Sequence, residues 1–332
     1  MSVRRLPRRL LSFTVAALLT APAATSHAGS TILLVNLDAP GEGLNDATPV
    51  VSQGANPGAT IGEARLAAVE LAAALWAGAL TSEVPIVVGV SFDPLGGTTN
   101  AAPLGLGGAT DVFRDFAGAP AAGVWYPAAL ADRLAGVDLG EPGATDLEVA
   151  FNSDVDGHTV LGTSRFYYGF DGAPPAGDVD FLSAAVHEIG HGLGFATFVD
   201  VETGAKLFGF DDAYLLHLER HGASPPDFPS MTDAERAAAI VAAGELHWTG
   251  PQTVAVAAGL AAGTGADGHV EMHAPDPPLA KTSLVHFASS LAPDDFMEPF
   301  YSAAKLDLAL ALAVLDDLGW GTAPQCFVQP TP

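Results

Sequence analysis

The chain has 332 residues, 49% of them hydrophobic and 15% charged, and 38 acidic residues against 13 lysines and arginines give it a net charge of −25. A chain this apolar can build a sizeable core and is not globally disordered, while so acidic a surface excludes the basic patches that nucleic acid and anionic membranes require. Its one cysteine, Cys326, excludes an internal disulfide, so stability must come from the core and any bound metal.

The first 28 residues stand apart. MSVRRLPRRL carries four arginines and no acid, LLSFTVAALLTAPAA is an apolar run, and SHA ends in a small-x-small pattern. That is a secretory signal cleaved near Ala28, with an apolar stretch too short to favour a retained span. It sends a still more acidic mature chain to the extracellular space or a periplasm. No later stretch supplies a membrane helix, since LDLALALAVLDDLGW is interrupted by Asp307, Asp316 and Asp317.

From there the elements run as follows. TILLVN (31–36) reads as a strand, and the Ala- and Leu-rich 61–80 as a helix without proline. VPIVVGVSF (84–92) is a β-branched strand, followed by a Gly/Thr/Asn/Pro loop to about residue 109. AGVWYPAALADRLAG (122–136) turns into a short helix. In TDLEVAFNSD (145–154), Leu147, Val149 and Phe151 alternate with Asp146, Glu148 and Ala150, as in a half-exposed strand. A Gly- and Pro-rich loop (169–180) leads into a helix carrying VHEIGHGLGFATF (186–198). The second half reads mostly as helix and loop: a short helix over 211–222, another over 231–244 with Thr232 and Glu235 as a capping box, and a long final helix over 302–320. No fixed-period repeat is present. The order predicts an α+β fold in two lobes, 29–196 and 197–324, with a tail at 325–332.

His187 and His191 are four apart, so one helix face presents both to a single Zn²⁺, with Glu188 beside the metal as general base. A catalytic zinc takes three protein ligands. The common continuation of the motif would place a third histidine where this chain has Thr197. Glu202, Glu219 and Glu245 are candidates in its stead, as are His217 with His221 (spaced for one helix face), His247, His273 and His286. NSDVDGHT (152–159) is rich in oxygen donors and turned by a glycine, but it lacks the full spacing and closing glutamate of a Ca²⁺ loop; a polar turn is the simpler reading, with Ca²⁺ binding as its alternative.

HEIGHGLGF, followed after a long insertion by His286 in SLVHF, Met297 in DDFMEP, then YSA, a helix and DDLGW (316–320), resembles the leishmanolysin branch of the metzincin zinc proteases. The likeness is specific over 179–198 and 283–320 and looser over 61–92 and 145–153; bacterial secreted proteins with GFATFVDVETG-like sequence resemble the chain more closely still. The resemblance implies zinc on His187, His191 and His286, Glu188 as the base acting on a zinc-bound water, and Met297 as the Met-turn beneath the metal. It also implies a twisted mixed sheet backed by the 61–80 helix, with DLEVAFNS as the edge strand lining a cleft, and a mainly helical and irregular C-terminal lobe. The expected activity is that of a secreted, monomeric zinc endopeptidase acting on protein or peptide. Tyr301 is a candidate hydrogen-bond donor to the oxyanion, with core packing as the simpler role. Unlike leishmanolysin, this chain has a single cysteine and so no internal disulfide to staple its second lobe. Two other readings fit the residues: a non-catalytic binding module on the same fold, and a zinc hydrolase of a non-peptide amide or ester.

Overall fold

In the computed structural model the described residues are 29–322, and both the predicted signal and the tail with Cys326 lie outside them. The fold is mixed α+β. Its main sheet has four strands: β1 (Ile32–Asn36), β2 (Ile86–Asp93), β3 (Gly105–Ala109) and β4 (Leu147–Asn152), in the spatial order β1-β2-β4-β3. Ile32 pairs with Ile86 and Val88 with Leu147 in parallel registers, whereas Gly105 pairs with Phe151 antiparallel.

This corrects two expectations. The strand within 145–154 is interior rather than an edge, and the edge is β3, inside the stretch that reads as a loop. Its sequence, GLGGA, has neither β-branched residues nor alternation, so nothing local announces a strand. Those glycines meet the demand of close approach: a Cβ on Gly105 would lie 2.7 Å from Glu188 Cγ.

Helix α1 (Ile61–Ala79) starts at Thr60, whose hydroxyl accepts the Glu63 N–H at 3.2 Å. It buries a face of small residues (Ala64, Ala68, Ala72, Ala73) with Val69 and Trp76. That face brings it close to the motif helix, and Trp76 Nε1 donates to the Val186 carbonyl at 3.0 Å. Between sheet and motif helix, Phe92, Phe151, Phe166 and Phe181 pack with centroids 4.7–5.5 Å apart. Helix α2 (Ala128–Ala135) follows the short strand Val124–Pro127.

The second half departs most from expectation. Residues 211–222 do not form one helix. Asp211–Asp212 pairs in parallel with Val124–Trp125, a 3-10 turn covers Leu215–His217, and β5 (Leu218–Arg220) pairs antiparallel with β6 (Leu246–Trp248), which pairs with β7 (Val270–Glu271). The run YLLHL carries apolar groups without a decisive period, and packing decides: on the buried Trp248, Tyr214 packs at a tilt with centroids 4.6 Å apart and His217 stacks at 5.0 Å. This half therefore holds a small sheet and is not mainly helical.

Helix α4 (Asp233–Ile240) has the predicted capping box, Glu235 N–H donating to Thr232 Oγ1 and Thr232 N–H to Glu235 Oε2. Helix α5 (Pro251–Ala257) was not expected, and the final helix α6 is only Ala309–Leu318. Residues 302–308 stay irregular because their backbone is taken up at the motif helix, where the Lys305 N–H donates to Ser183 Oγ at 2.8 Å. Asp317 joins α5 to α6 by accepting from Thr253 Oγ1, Gln252 N–H and Trp248 Nε1. Trp320 Nε1 then reaches the Leu193 carbonyl at 2.9 Å, and Gly321–Thr322 pairs antiparallel with Leu80–Thr81. Among the described residues no helix is long and apolar enough to cross a membrane.

Candidate metal centre

Helix α3 (Phe181–Leu193) carries the motif. Asp180 caps it by accepting from the Ser183 N–H and hydroxyl, and the Asp180 N–H donates to the Tyr301 hydroxyl oxygen at 3.0 Å. Tyr301 thus supports the helix start at the margin of the cleft. Gly194, at φ 125°, stops the helix and turns the chain away.

One helical turn places the His187 and His191 Nε2 atoms 3.0 Å apart. His286, from a loop 95 residues beyond His191, brings its own Nε2 to 3.2 Å from each. Each ring is fixed from behind: Nδ1 of His187 meets the Phe296 carbonyl at 2.7 Å, that of His191 the Phe195 carbonyl at 2.8 Å, and that of His286 the Thr282 carbonyl at 2.8 Å. A carbonyl can only accept, so each Nδ1 carries the proton and each Nε2 presents a lone pair. Three lone pairs then face one another with no hydrogen between them, which is unfavourable unless a cation sits among them. Donors at 2.0–2.1 Å from a tetrahedral zinc are separated by roughly 3.4 Å, close to these spacings. The residues therefore fit a metal ion.

Electrostatics favour the same state. Burial pushes the pKa of all three histidines down, His191 to about 3, with mutual repulsion adding to burial for His191 and His286. They are neutral near pH 7, the form in which an imidazole can bind a metal. Burial also pushes Glu188 up to about 8, opposed by the Gly107 N–H.

Met297 is fully buried under the helix, where a Cβ on Gly190 would come 3.4 Å from its sulfur. Its neighbours tie the site together. Phe296 supplies the carbonyl for His187, and Met297's own carbonyl accepts the N–H of Phe287, next to His286, at 3.0 Å. The half-buried Asp295, pushed up to about 7 by desolvation, receives the Met297 N–H at 2.7 Å. A cleft of about 1350 Å³ is lined by His187, Glu188 and His286, together with Gly107 of β3 and Phe300.

Thr197 is not a ligand. Its hydroxyl donates to Asp212 Oδ2 at 2.8 Å, and Asp212 also accepts the N–H groups of Phe198 and Leu215. The other candidates lie elsewhere. The Glu202 N–H belongs to a turn on Asp200, and Glu245 pairs with Arg220 at 2.8 Å. His217 stacks on Trp248, His247 on His221, and His273 edge-on against Phe300. Glu219 and His221 converge instead with Asp267 and His269, a second group able to bind a metal. In 152–159 the carboxylates are engaged internally, Asp154 by the Gly96 N–H and Asp156 by Arg65 and Tyr168, so they do not converge as Ca²⁺ donors.

The sequence reading missed β3, the Asp212 hub and the three carbonyl acceptors. An edge glycine strand and main-chain acceptors leave no side-chain signature; paired aspartates after a metal motif, as at 211–212, are a usable signal. No protein-family model, curated protein or solved structure matches the chain.

Proposed function

We propose that this chain is a secreted zinc endopeptidase of metzincin type, akin to the leishmanolysin branch. One observation carries the reading: three neutral imidazoles, His191 and His286 buried and His187 half-buried, direct their Nε2 lone pairs to one point, with a buried carboxyl beside them at the wall of a cleft. His187, His191 and His286 would hold the ion. The cation would supply Lewis acidity, rendering water acidic near neutral pH and polarising an amide carbonyl. The Glu188 carboxylate takes a proton from the attacking water and returns it to the leaving amine. The free edge of β3 offers main-chain groups to an extended peptide, which can add as a further strand and so be held in register across the site.

The test is zinc content together with casein hydrolysis. Glu188→Ala should retain zinc at this site and lose hydrolysis, and His286→Ala should lose both. Full activity in Glu188→Ala, or hydrolysis that survives removal of metal, overturns the proposal. Zinc binding without hydrolysis of any peptide, alongside cleavage of simple esters, would favour the non-peptide hydrolase.

A further inference from the structure

We infer that the chain holds a second divalent metal site, built by Glu219, His221, Asp267 and His269 and sharing no residue with the first. Its ligand class is a first-row transition cation such as Zn²⁺, and its role is to fasten the 265–269 turn to the end of β5.

Two short segments, each contributing an acid and a histidine two residues apart, meet here. Glu219 Oε1 lies 2.7 Å from His221 Nε2 and 2.5 Å from His269 Nδ1. Asp267 Oδ2 lies 3.2 Å from the same nitrogen of His221 and 3.4 Å from that of His269. The four donor atoms thus lie within 4.8 Å of one another; the Asp267 contacts match the roughly 3.4 Å edge of a tetrahedral zinc site, and the Glu219 contacts are shorter. Two imidazoles and two carboxylates are a borderline donor set that suits zinc; Ca²⁺ and Mg²⁺ take oxygen ligands throughout. The ion would also neutralise two carboxylates for which the neighbouring Arg220 is not available, since it pairs with Glu245.

The backbone is shaped for this convergence. The Gly265 N–H donates to the His269 carbonyl at 2.8 Å and the Gly268 N–H to the Gly265 carbonyl at 3.0 Å, closing a tight turn. A Cβ on Gly265 would stand 2.8 Å from both His221 Cε1 and Asp267 Oδ1, so a side chain there would push the two segments apart. His221 is oriented by stacking on His247, with centroids 3.7 Å apart and planes within 14°. His247 is itself buried, with Nδ1 against the Glu245 carbonyl at 3.0 Å. The stack fixes the plane of the His221 ring and so holds its Nε2 toward Glu219 and Asp267. The four side chains keep 18–48% of their surface exposed, which leaves a path for a cation from solvent.

The experiment is titration of the chelator-stripped full chain with Zn²⁺, and separately with Co²⁺, read by calorimetry and by the Co²⁺ absorption spectrum. Two equivalents are expected for the wild type. The His221→Gln/His269→Gln variant should bind one, and His191→Gln/His286→Gln should also bind one, with the spectrum of the second site alone. Saturation of the wild type at one equivalent that is lost in His191→Gln/His286→Gln overturns the inference, as does a His221→Gln/His269→Gln chain that still binds two. If the latter variant does not fold, the equivalent left in His191→Gln/His286→Gln decides: one supports the second site and none refutes it.

Discussion

A side chain at Gly107 would place its first carbon in overlap with the main-chain oxygen of Glu188. The edge strand of the sheet and the residue read as the general base are thus pressed together, and the cleft wall is set by the absence of a Cβ. Its neighbour Gly108 has nothing within 4 Å of the same construction. Gly107→Ala should therefore destabilise the fold by about 1–3 kcal/mol, as overpacking does, and lower peptide hydrolysis by shifting Glu188. Gly108→Ala should stay within about 1 kcal/mol of wild type. Urea unfolding of the two variants checks this, and equal midpoints would show that β3 does not press on the helix.

That pair of glycines also marks how far the sequence can be read. His187, Glu188 and His191 are legible because one helical turn relates them, and Thr232 and Glu235 because a capping box is local. His286 is different. Spacing alone left it level with Glu219, His217 and others, since its approach depends on how some ninety intervening residues fold; only the resemblance of SLVHF and DDFMEP singled it out. The 211–222 helix failed because its register is decided by Trp248, a residue of another strand. β3 was invisible because its glycines answer to a neighbour's backbone and not to their own sequence.

Metal loading should release a proton from Glu188. Burial holds this carboxyl up to about 8, so in the metal-free chain at pH 7 it is mostly protonated, while the three histidines, pushed down by burial, are already neutral. A dication beside the carboxyl favours its charged form. Close to one proton should thus leave this site per ion bound at pH 7, falling toward zero above about pH 9. Calorimetry of zinc binding in buffers of different ionisation enthalpy measures it, best in the His221→Gln/His269→Gln background. Glu188→Gln should bind zinc with no such release; an unchanged proton count would place the proton elsewhere.

Met297 poses a question of sulfur against shape. Its main chain joins the carbonyl behind His187 to the loop carrying His286, whereas its side chain fills space under Gly190. Met297→Leu keeps the volume and should cost less than about 1.5 kcal/mol while leaving zinc bound. Met297→Ala should cost about 2–5 kcal/mol through the cavity it opens. Thermal unfolding with and without zinc separates the two, and loss of zinc in Met297→Leu would assign the sulfur a direct part.

Asp212 holds the turn where the chain leaves the motif, and its pH dependence has a definite sign. Burial raises its pKa from 3.8 to about 6 in spite of donation by Phe198, Leu215 and Thr197. A group raised in the folded state contributes its full stability below pH 3.8, and that contribution falls as pH climbs through 6. Asp212→Ala strands the buried Leu215 N–H and the half-buried Phe198 N–H, at about 1–3 kcal/mol for the buried one and less for the other, but it also removes the cost of ionising a buried acid. The variant should therefore be most destabilised near pH 4, and its deficit should shrink by roughly 2–3 kcal/mol by pH 7. Urea unfolding of wild type and variant at both pH values reads the difference directly. A deficit that grows toward neutral pH would mean that the three hydrogen bonds outweigh burial and that Asp212 is an ordinary charged cap.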